Sequence, residues 1–336
     1  MNEWAEFRHF LYLLTILECG GIRPAAEILH TSSPNLSTQA KEFQECLSIR
    51  LYEIGADNRL SPTQAGMALP QMARGLLLAR DEVISALIAI GKGHVRTLRL
   101  GCGTLVAEEL FRTACEIHKE LVPGGPILPA HADTVQLVGD VVSGKLDAAI
   151  TTLPVEHSEL CVEEIRRDRL VVCLRTDHPL SAKAALRPAD LQGNLGIFYH
   201  PQHHPEAHAR LLELLAETGV QVDEFSSATH PTEMQRLGRD GYGLTLIREG
   251  TPVDPSLITR PLIGVSWTVD TALVYHKQQH PKTIPVLVRH LKQQRTPALN
   301  KPNSPGTMTA LRTKNGIHRR PPRPNGKGSA QMSLLD

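Results

Sequence analysis

The sequence is poor in the features that mark exported, membrane-spanning and metal-dependent proteins. No apolar run reaches the ~18 residues that a spanning helix needs. The first ten residues hold Glu3 and Glu6 and no basic cluster, which predicts no secretory signal. None of the six cysteines forms a C-x-x-C pair, so zinc and thioredoxin-like chemistry have no support. We therefore expect a cytoplasmic protein with reduced, mostly core thiols and no membrane contact; a redox-sensing cysteine pair is the open alternative.

Catalytic and nucleotide-binding signatures are also missing. The sequence has no G-x-x-x-x-G-K-[ST], no G-x-G-x-x-G and no G-x-S-x-G. The run "HPQHHPEAH" contains His200, His203, His204 and His208, but two prolines interrupt it and no Asp or Cys joins it. These histidines are predicted to lie in an exposed loop, with no metal site and no cofactor. An enzyme is not expected, although composition alone leaves a Ser-His-Asp set open.

Charge is nearly balanced over the 336 residues but unevenly spread. Residues 296–336 hold six prolines, seven basic residues and one acid, a composition that predicts a disordered basic tail. The tail ends in "QMSLL", residues 331–335. This peptide resembles those by which bacterial replication proteins bind the sliding clamp, so a clamp contact is a speculative expectation and a chance pentapeptide its alternative.

Hydrophobic spacing predicts three short helices and a hairpin in residues 1–62. An i, i+3, i+4 stripe marks a helix at 5–18, and helices at 22–30 and 34–47 follow, separated by "TSS". Ser32 or Ser33 is suited to cap the third helix, with Pro34 in its first turn. The segment "LYEIGADNRLSPT" alternates apolar and polar residues and predicts a hairpin.

One long helix is predicted over residues 63–95, because little interrupts helical spacing there except Pro70. Such a helix typically pairs with a copy of itself and predicts a homodimer or homotetramer; the alternative is a core helix of the next domain. From 96 to 295, strands alternate with helices, which predicts a mainly parallel α/β sheet in two lobes. Strands are expected at 97–103, 147–154, 169–175, 195–200, 242–249 and 267–277, and helices at 105–121, 206–218 and 283–294.

The helix pair at 22–30 and 34–47 is suited to be a helix–turn–helix whose second helix enters the DNA major groove. Asn35 and Gln39 are chemically suited to adenine, and hydroxyls to bases or phosphates. A generic three-helix bundle remains open, since this region is slightly acidic. The candidate DNA-binding residues are Arg23, Ser32, Ser33, Asn35, Ser37, Thr38, Gln39, Lys41, Arg50 and Arg59.

Residues 7–70 resemble the DNA-binding domain of LysR-type transcriptional regulators. "AAEILHTSSPNLSTQ" is similar to the family's A-A-E-x-L-H-x-S-Q-P-A-L-S-x-Q, and "LSPTQAG" to its L-T-x-A-G. Further along, "VVSGKLDAAITTLP", "LVVCLRTDHPLSAKAALRPADLQG" and "RDGYGLTLI" resemble the family's two-lobed effector domain. The chain departs where the family has Gln and Arg on the reading helix, since Ser33 and Thr38 stand there.

The resemblance implies an N-terminal winged helix–turn–helix (1–62), a linker and dimerisation helix (63–95) and a periplasmic-binding-protein-like α/β effector domain (96–295), followed by the tail (296–336). It also implies a transcriptional regulator that binds double-stranded DNA and whose small, often anionic effector binds between the lobes. The competing class is a two-lobed binding protein or enzyme whose first 60 residues only assemble subunits. Candidate effector-binding residues are Thr104, Thr151, Thr152, Tyr199, His200, Thr229, His230 and Thr232.

Overall fold

The computed structural model describes residues 4–55, 59–93, 97–222 and 225–294. The predicted disordered tail and its "QMSLL" peptide lie outside these residues, as does the tip of the predicted hairpin. Three short helices come first, as predicted. They are α1 (Phe7–Cys19), α2 (Ile22–Ile28) and α3 (Ser33–Leu47), and the hairpin strands β1 (Tyr52–Ile54) and β2 (Leu60–Pro62) follow.

The N-terminal unit folds around one apolar stripe from each helix. Leu36, Ala40 and Phe43 of α3 are buried, as their spacing predicts. They pack against α1, where Leu13 and Ile16 are fully buried. This core orients α3 so that its polar residues lie on the opposite, outer side.

The long helix α4 (Gln64–Gly91) begins at a capped, crowded junction. The Thr63 hydroxyl accepts a hydrogen bond from the Gly66 N–H at 3.1 Å and donates to the Arg50 carbonyl at 2.7 Å. A Cβ on Gly66 would lie 1.8 Å from the Leu51 carbonyl oxygen, so only glycine allows this close approach. The start of α4 is thereby held against the base of the hairpin.

The remaining elements form the two-lobed α/β region. In the first lobe lie β3 (Leu98–Gly103), α5 (Glu108–Leu121), β4 (Ile127–Ala132), α6 (Thr134–Val142) and β5 (Ala148–Thr152). The long strand β6 (Leu160–Arg175) leads to β7 (Leu195–Tyr199), α7 (Pro205–Glu217), β8 (Ser226–Ala228), α8 (Pro231–Arg239), β9 (Leu244–Arg248) and β10 (Leu257–Pro261) of the second lobe. Strand β11 (Thr268–His276) and α9 (Ile284–Gln293) return to the first lobe. Short 3-10 turns cover Pro179–Ala182, Pro188–Leu191 and Pro201–His203.

The expectation of a mainly parallel sheet is wrong. Among the described residues the strand order is β4-β3-β5-β11-β6-β9-β7-β8, with β10 also beside β6. The pairs β3–β4, β3–β5, β7–β8 and β7–β9 are parallel, whereas β6 and β11 run antiparallel to their neighbours. The reason is that β6 carries the chain from the first lobe to the second and β11 brings it back. Strand–helix alternation does not reveal such crossings.

Strand β4 was not predicted from the sequence, and neither were α6, β8 and β10. Strand β4 contains Pro129, which lacks a backbone donor and is tolerated because this strand lies at the sheet edge. Each lobe has its own apolar core. Helix α9 packs on α5 and also contacts α4, where the Arg289 guanidinium lies 2.5 Å from the Glu82 carboxylate. The linker helix is therefore tied directly to the first lobe.

Candidate functional site

The outer face of α3 is the first candidate site, and its start is fixed by a side-chain cap. The Ser32 hydroxyl accepts a hydrogen bond from the Asn35 N–H at 3.3 Å, and Pro34 follows in the first turn. Of the two serines that the sequence offered as the cap, Ser32 is therefore the one that caps α3. Ser32, Asn35, Thr38 and Lys41 are exposed, and Ser33, Ser37 and Gln39 are half-buried. The structure thus places these predicted DNA-binding residues together on one short stretch of helix.

The two amides expected to contact adenine already have partners within the protein. Asn35 Nδ2 donates to the Thr31 hydroxyl at 3.0 Å. Gln39 Oε1 lies 3.3 Å from His9 Nε2, and Gln39 Nε2 donates to Glu42 at 3.2 Å. Both amides are therefore pre-oriented before any DNA binds.

Of the four basic residues among the predicted DNA-binding residues, Lys41 lies on α3 itself and the other three lie on neighbouring segments. Arg23 is 3.7 Å from Glu27 and Lys41 is 3.5 Å from Glu45, both i, i+4 pairs. These pairs are largely exposed, so solvent screens them and the cations can exchange a carboxylate for a phosphate. The exposed Arg50 and Arg59 flank strand β1, and Arg59 also has an interaction within the protein.

The second candidate site is a cavity of about 1020 Å³ whose walls come from both lobes. This volume lies at the upper end of small-molecule sites. Most wall residues are apolar, including Phe111 of α5 and Phe198 and Leu211 from the second lobe. Among the predicted effector-binding residues, four line the cavity: Thr104, Tyr199, His230 and Thr232.

The other predicted effector-binding residues are not among those that line the cavity. Thr151 is fully buried, with its hydroxyl 2.6 Å from the Thr134 hydroxyl. The buried Thr152 accepts a bond from His204 through its carbonyl oxygen. Two further residues cap local structure: Thr229 donates twice to Glu233, and His200 caps a 3-10 turn by accepting the N–H of Gln202.

One hydrogen bond joins the two lobes at the cavity. The Thr104 hydroxyl, just after β3, lies 2.5 Å from the Tyr199 hydroxyl at the end of β7. Burial raises the pKa of Tyr199, while the bond to Thr104 lowers it, so the phenol stays protonated at neutral pH. The pair joins the strand ends of the two lobes at the cavity.

The histidine run is not the exposed loop that its sequence suggested. None of its four histidines is fully exposed, and His204 is only 1% exposed. The His204 ring caps α7 by accepting the Ala207 N–H at 3.4 Å and lies 2.9 Å from the Thr152 carbonyl oxygen across the lobes. Burial lowers the pKa of His204. Neutral His204 therefore donates from Nε2 to the first lobe.

Arg248, at the end of β9, is one of three cavity-lining arginines, with Arg112 and Arg210, that sequence reasoning missed. Burial lowers its pKa, and the nearby carboxylates of Asp168 and Glu109 oppose that shift. Within the described residues its Nη1 is buried and has no hydrogen-bond partner. Such an orphaned donor is costly, so an acceptor on a bound molecule would be favoured here. The strand "LTLIR" gave no signal for this role.

The cavity thiols give no support to a redox-sensing pair. Cys102 and Cys115 both line the cavity, and all six cysteines are free. Burial raises the pKa of Cys102 to about 12 and also raises that of Cys115, so both are protonated at neutral pH and poorly reactive. Within the described ranges no three His, Cys, Asp or Glu side chains are placed to hold a metal ion. No helix of the described part has the length and apolar character needed to cross a membrane.

Proteins of known function share much of this architecture. The DNA-binding transcriptional dual regulator OxyR of Escherichia coli K12 is 28% identical over 245 residues, covering 72% of this chain and 78% of OxyR. Full-length CbnR, solved with its target DNA, has a TM-score of 0.52 at 18% identity and covers 86% of this chain and 99% of its own. Full-length BenM has a TM-score of 0.54 at 20% identity, with 86% and 96% covered. At these identities the two structures show a common fold.

Two family models match the chain directly. Residues 7–67 match the bacterial regulatory helix-turn-helix protein of the lysR family. Residues 91–296, more than half of the chain, match the LysR substrate binding domain. The protein therefore belongs to the LysR family of DNA-binding transcriptional regulators that carry an effector-binding domain.

Proposed function

We propose that this regulator reads double-stranded DNA with the outer face of α3 and takes a small-molecule effector into the cavity between the lobes. The observation that carries the proposal is the pairing of an exposed, capped reading helix with a large cavity walled by both lobes. The effector shifts DNA binding because it binds one lobe arrangement better than another. The proposal includes no catalytic role, and it places the protein in the cytoplasm with the DNA.

The proposed DNA contacts come from the exposed α3 residues and the cations around them. Ser32, Asn35, Thr38 and Gln39 lie at the N-terminal half of the reading helix, where the side chains of a helix–turn–helix reach base edges. Serine at 33 and threonine at 38 supply hydroxyls rather than bidentate groups. We therefore propose a target sequence unlike that of relatives with Gln and Arg at these positions.

The proposed effector is a small molecule with an apolar body and a hydrogen-bond-accepting group, such as a carboxylate. Phe111 and Phe198 offer apolar walls, and Arg248 offers an unsatisfied donor. Thr104 and Tyr199 would adjust their mutual bond when the lobes open to admit the molecule.

We also propose that the chain acts as a homodimer or homotetramer paired through α4. Several large apolar side chains of that helix are exposed in the single chain. They are Met67, Met72, Leu76, Leu78, Val83, Ile84, Leu87 and Ile88. Burying such side chains against a second copy is a common arrangement for a long helix.

We propose domain boundaries at 62/63, 95/96 and 295/296. The sliding-clamp contact of residues 331–335 has no support and is not part of the proposal.

Salt-dependent binding of full-length protein to duplex DNA from upstream of its own gene tests the proposal. Arg23, Lys41, Arg50 and Arg59 as phosphate contacts predict a slope of log K against log salt of roughly −3 to −4 per DNA-binding domain. Restoring the family residues by Ser33→Gln and Thr38→Arg should strengthen binding to family-type sites by about 1–3 kcal/mol for each bidentate base pairing that forms. A flat salt dependence, or no thermal shift across a panel of small carboxylates, would contradict the respective half of the proposal.

A further inference from the structure

A chain of hydrogen bonds runs from the start of α1 to the reading helix. The backbone N–H of Glu6 donates to His9 Nδ1 at 3.0 Å. A backbone N–H only donates, so Nδ1 must be the acceptor and the ring proton of neutral His9 sits on Nε2. His9 Nε2 therefore donates to Gln39 Oε1, 3.3 Å away.

The hydrogen bond between Gln39 and Glu42 requires the same orientation of the Gln39 amide. Gln39 Nε2 lies 3.2 Å from the Glu42 carboxylate. An ionised carboxylate only accepts, so the amide NH2 must face Glu42 and the amide oxygen must face His9. Two independent constraints thus fix one rotamer and one flip of Gln39.

Packing holds this arrangement in place. The His9 ring lies 5.5 Å from the ring of Phe43, which is 3% exposed and also contacts Trp4 and Phe10. His9 is half-buried, so it is not a freely rotating surface side chain. The series of hydrogen bonds through His9, Gln39 and Glu42 therefore lies directly on the packed core that orients α3.

The outward result is a donor beside an acceptor. Among the residues that the structure describes, the second N–H of the Gln39 amide has no partner, and the exposed Glu42 offers the oxygens of a carboxylate. Residues three apart share a helix face, and helical side chains lean toward the N-terminus, which brings Glu42 over the turn that carries Gln39. A carboxylate has no proton to donate, so among major-groove edges it fits only an exocyclic amino group.

We propose that Gln39 and Glu42 act as one base-reading unit that selects a base bearing an amino group, cytosine or adenine, and that His9 is its positioning residue. This inference rests on the proposed reading of DNA by α3. The carboxylate also repels phosphates, so Glu42 weakens binding to DNA in general, while it disfavours a base pair whose orientation turns guanine O6 or thymine O4 toward it. Selectivity is increased at the expense of affinity.

Selection of bound duplexes from a random DNA library by the full-length protein tests this. Glu42→Gln should relax the preference for an amino base at one position by roughly ten-fold or more and raise binding to random duplex a few-fold. Glu45→Gln is the matched control, because it removes the same charge one turn away, where Glu45 pairs with Lys41 instead. The control should leave the selected sequence unchanged.

His9 is tested with two substitutions. His9→Phe keeps a ring against Phe43 but cannot donate, and it should blur the same DNA position as Glu42→Gln. His9→Gln should restore the preference, because its amide can accept from the Glu6 N–H and donate to Gln39. If His9→Phe does not fold, as its thermal melt would show, Glu42→Gln alone decides.

The outcomes separate the two levels of the argument. If the unmodified protein selects no sequence, the proposed DNA-reading function fails. If it selects a sequence that Glu42→Gln leaves unaltered, the reading unit is wrong while the proposed function stands. If Glu42→Gln acts and a folded His9→Phe does not, the positioning role of His9 is wrong.

Discussion

The two proposed binding sites, the outer face of α3 and the cavity between the lobes, differ in their chemistry. On α3 the proposed DNA-contacting side chains are polar and exposed or half-buried, and the buried residues Leu36, Ala40 and Phe43 hold the helix that carries them. In the cavity the walls are mostly apolar, and a few polar groups such as Thr104, Tyr199 and Arg248 interrupt them. The difference suits the partners, since DNA presents charged phosphates and base edges, while a small molecule must be desolvated.

We expect the largest effects from two variants that each truncate one buried aromatic side chain, one in the N-terminal core and one at the cavity. Phe43→Ala empties the centre of the N-terminal core, and a buried Phe→Ala costs about 3–5 kcal/mol. We expect loss of DNA binding in anisotropy titrations with effector binding retained. Phe198→Ala, in a residue that lines the cavity and contacts Phe225 and His208, should do the reverse.

Phe7→Ala supplies the control for this pair. Phe7 lies on α1, in the same N-terminal region, but is 47% exposed. Its truncation should change both binding measurements little. Loss of both activities in each buried-site variant would show that the two regions do not fold independently.

The apolar core that orients α3 was more predictable from the sequence than the cavity. Local signals gave α3, because a capping serine, an early proline and an i, i+4 apolar stripe all act within one element. The cavity depends on which residues two lobes bring together, and the sequence offers only a general expectation that residues at the ends of strands line such a site. That expectation identified Thr104 and Tyr199 but also suggested Thr151, whose side chain instead meets Thr134.

The missed residues have the same explanation. His204 looked like a loop residue because prolines surround it, yet its burial comes from the approach of β5 in the other lobe. Arg248 ends an apolar strand, and nothing local shows that its guanidinium meets the cavity wall. Likewise, the antiparallel crossing of β6 and β11 is a property of the sheet and not of either strand.

The buried His204 gives the cavity region a pH dependence. Burial lowers its folded-state pKa below the ordinary 6.5, so between these values the unfolded chain binds more protons. Stability should therefore fall as pH drops from about 7 toward 5, and no contribution remains above pH 7. His204→Gln, whose amide can donate to Thr152 and accept from Ala207, should flatten part of that slope in denaturant titrations.

Three other histidines, His118, His208 and His280, have pKa values lowered by burial and should keep the rest of the slope. His208→Gln is the comparison variant, because His208 also lines the cavity but lacks the bond that His204 makes across the lobes; it should remove only the share of the slope that His208 itself contributes. An unchanged slope in His204→Gln would show that this histidine titrates normally.

The smallest effect concerns the single hydrogen bond between Thr104 and Tyr199. Thr104→Val and Tyr199→Phe each remove one hydroxyl with little change of shape, and each should cost about 0.5–1.5 kcal/mol of unfolding free energy. The double variant should cost little more than either single one, since the second hydroxyl has already lost its partner. Additive losses in urea titrations would mean that the two hydroxyls act separately.

Measuring effector affinity for the same two single variants and the double variant then tests whether the Thr104–Tyr199 bond must break when the effector binds. Single variants that bind more tightly would show that it holds the empty cavity closed, whereas weaker binding would show that the hydroxyls contact the ligand. In either case the cavity, like the Gln39–Glu42 pair of α3, would bind its partner with groups that are bonded to each other beforehand.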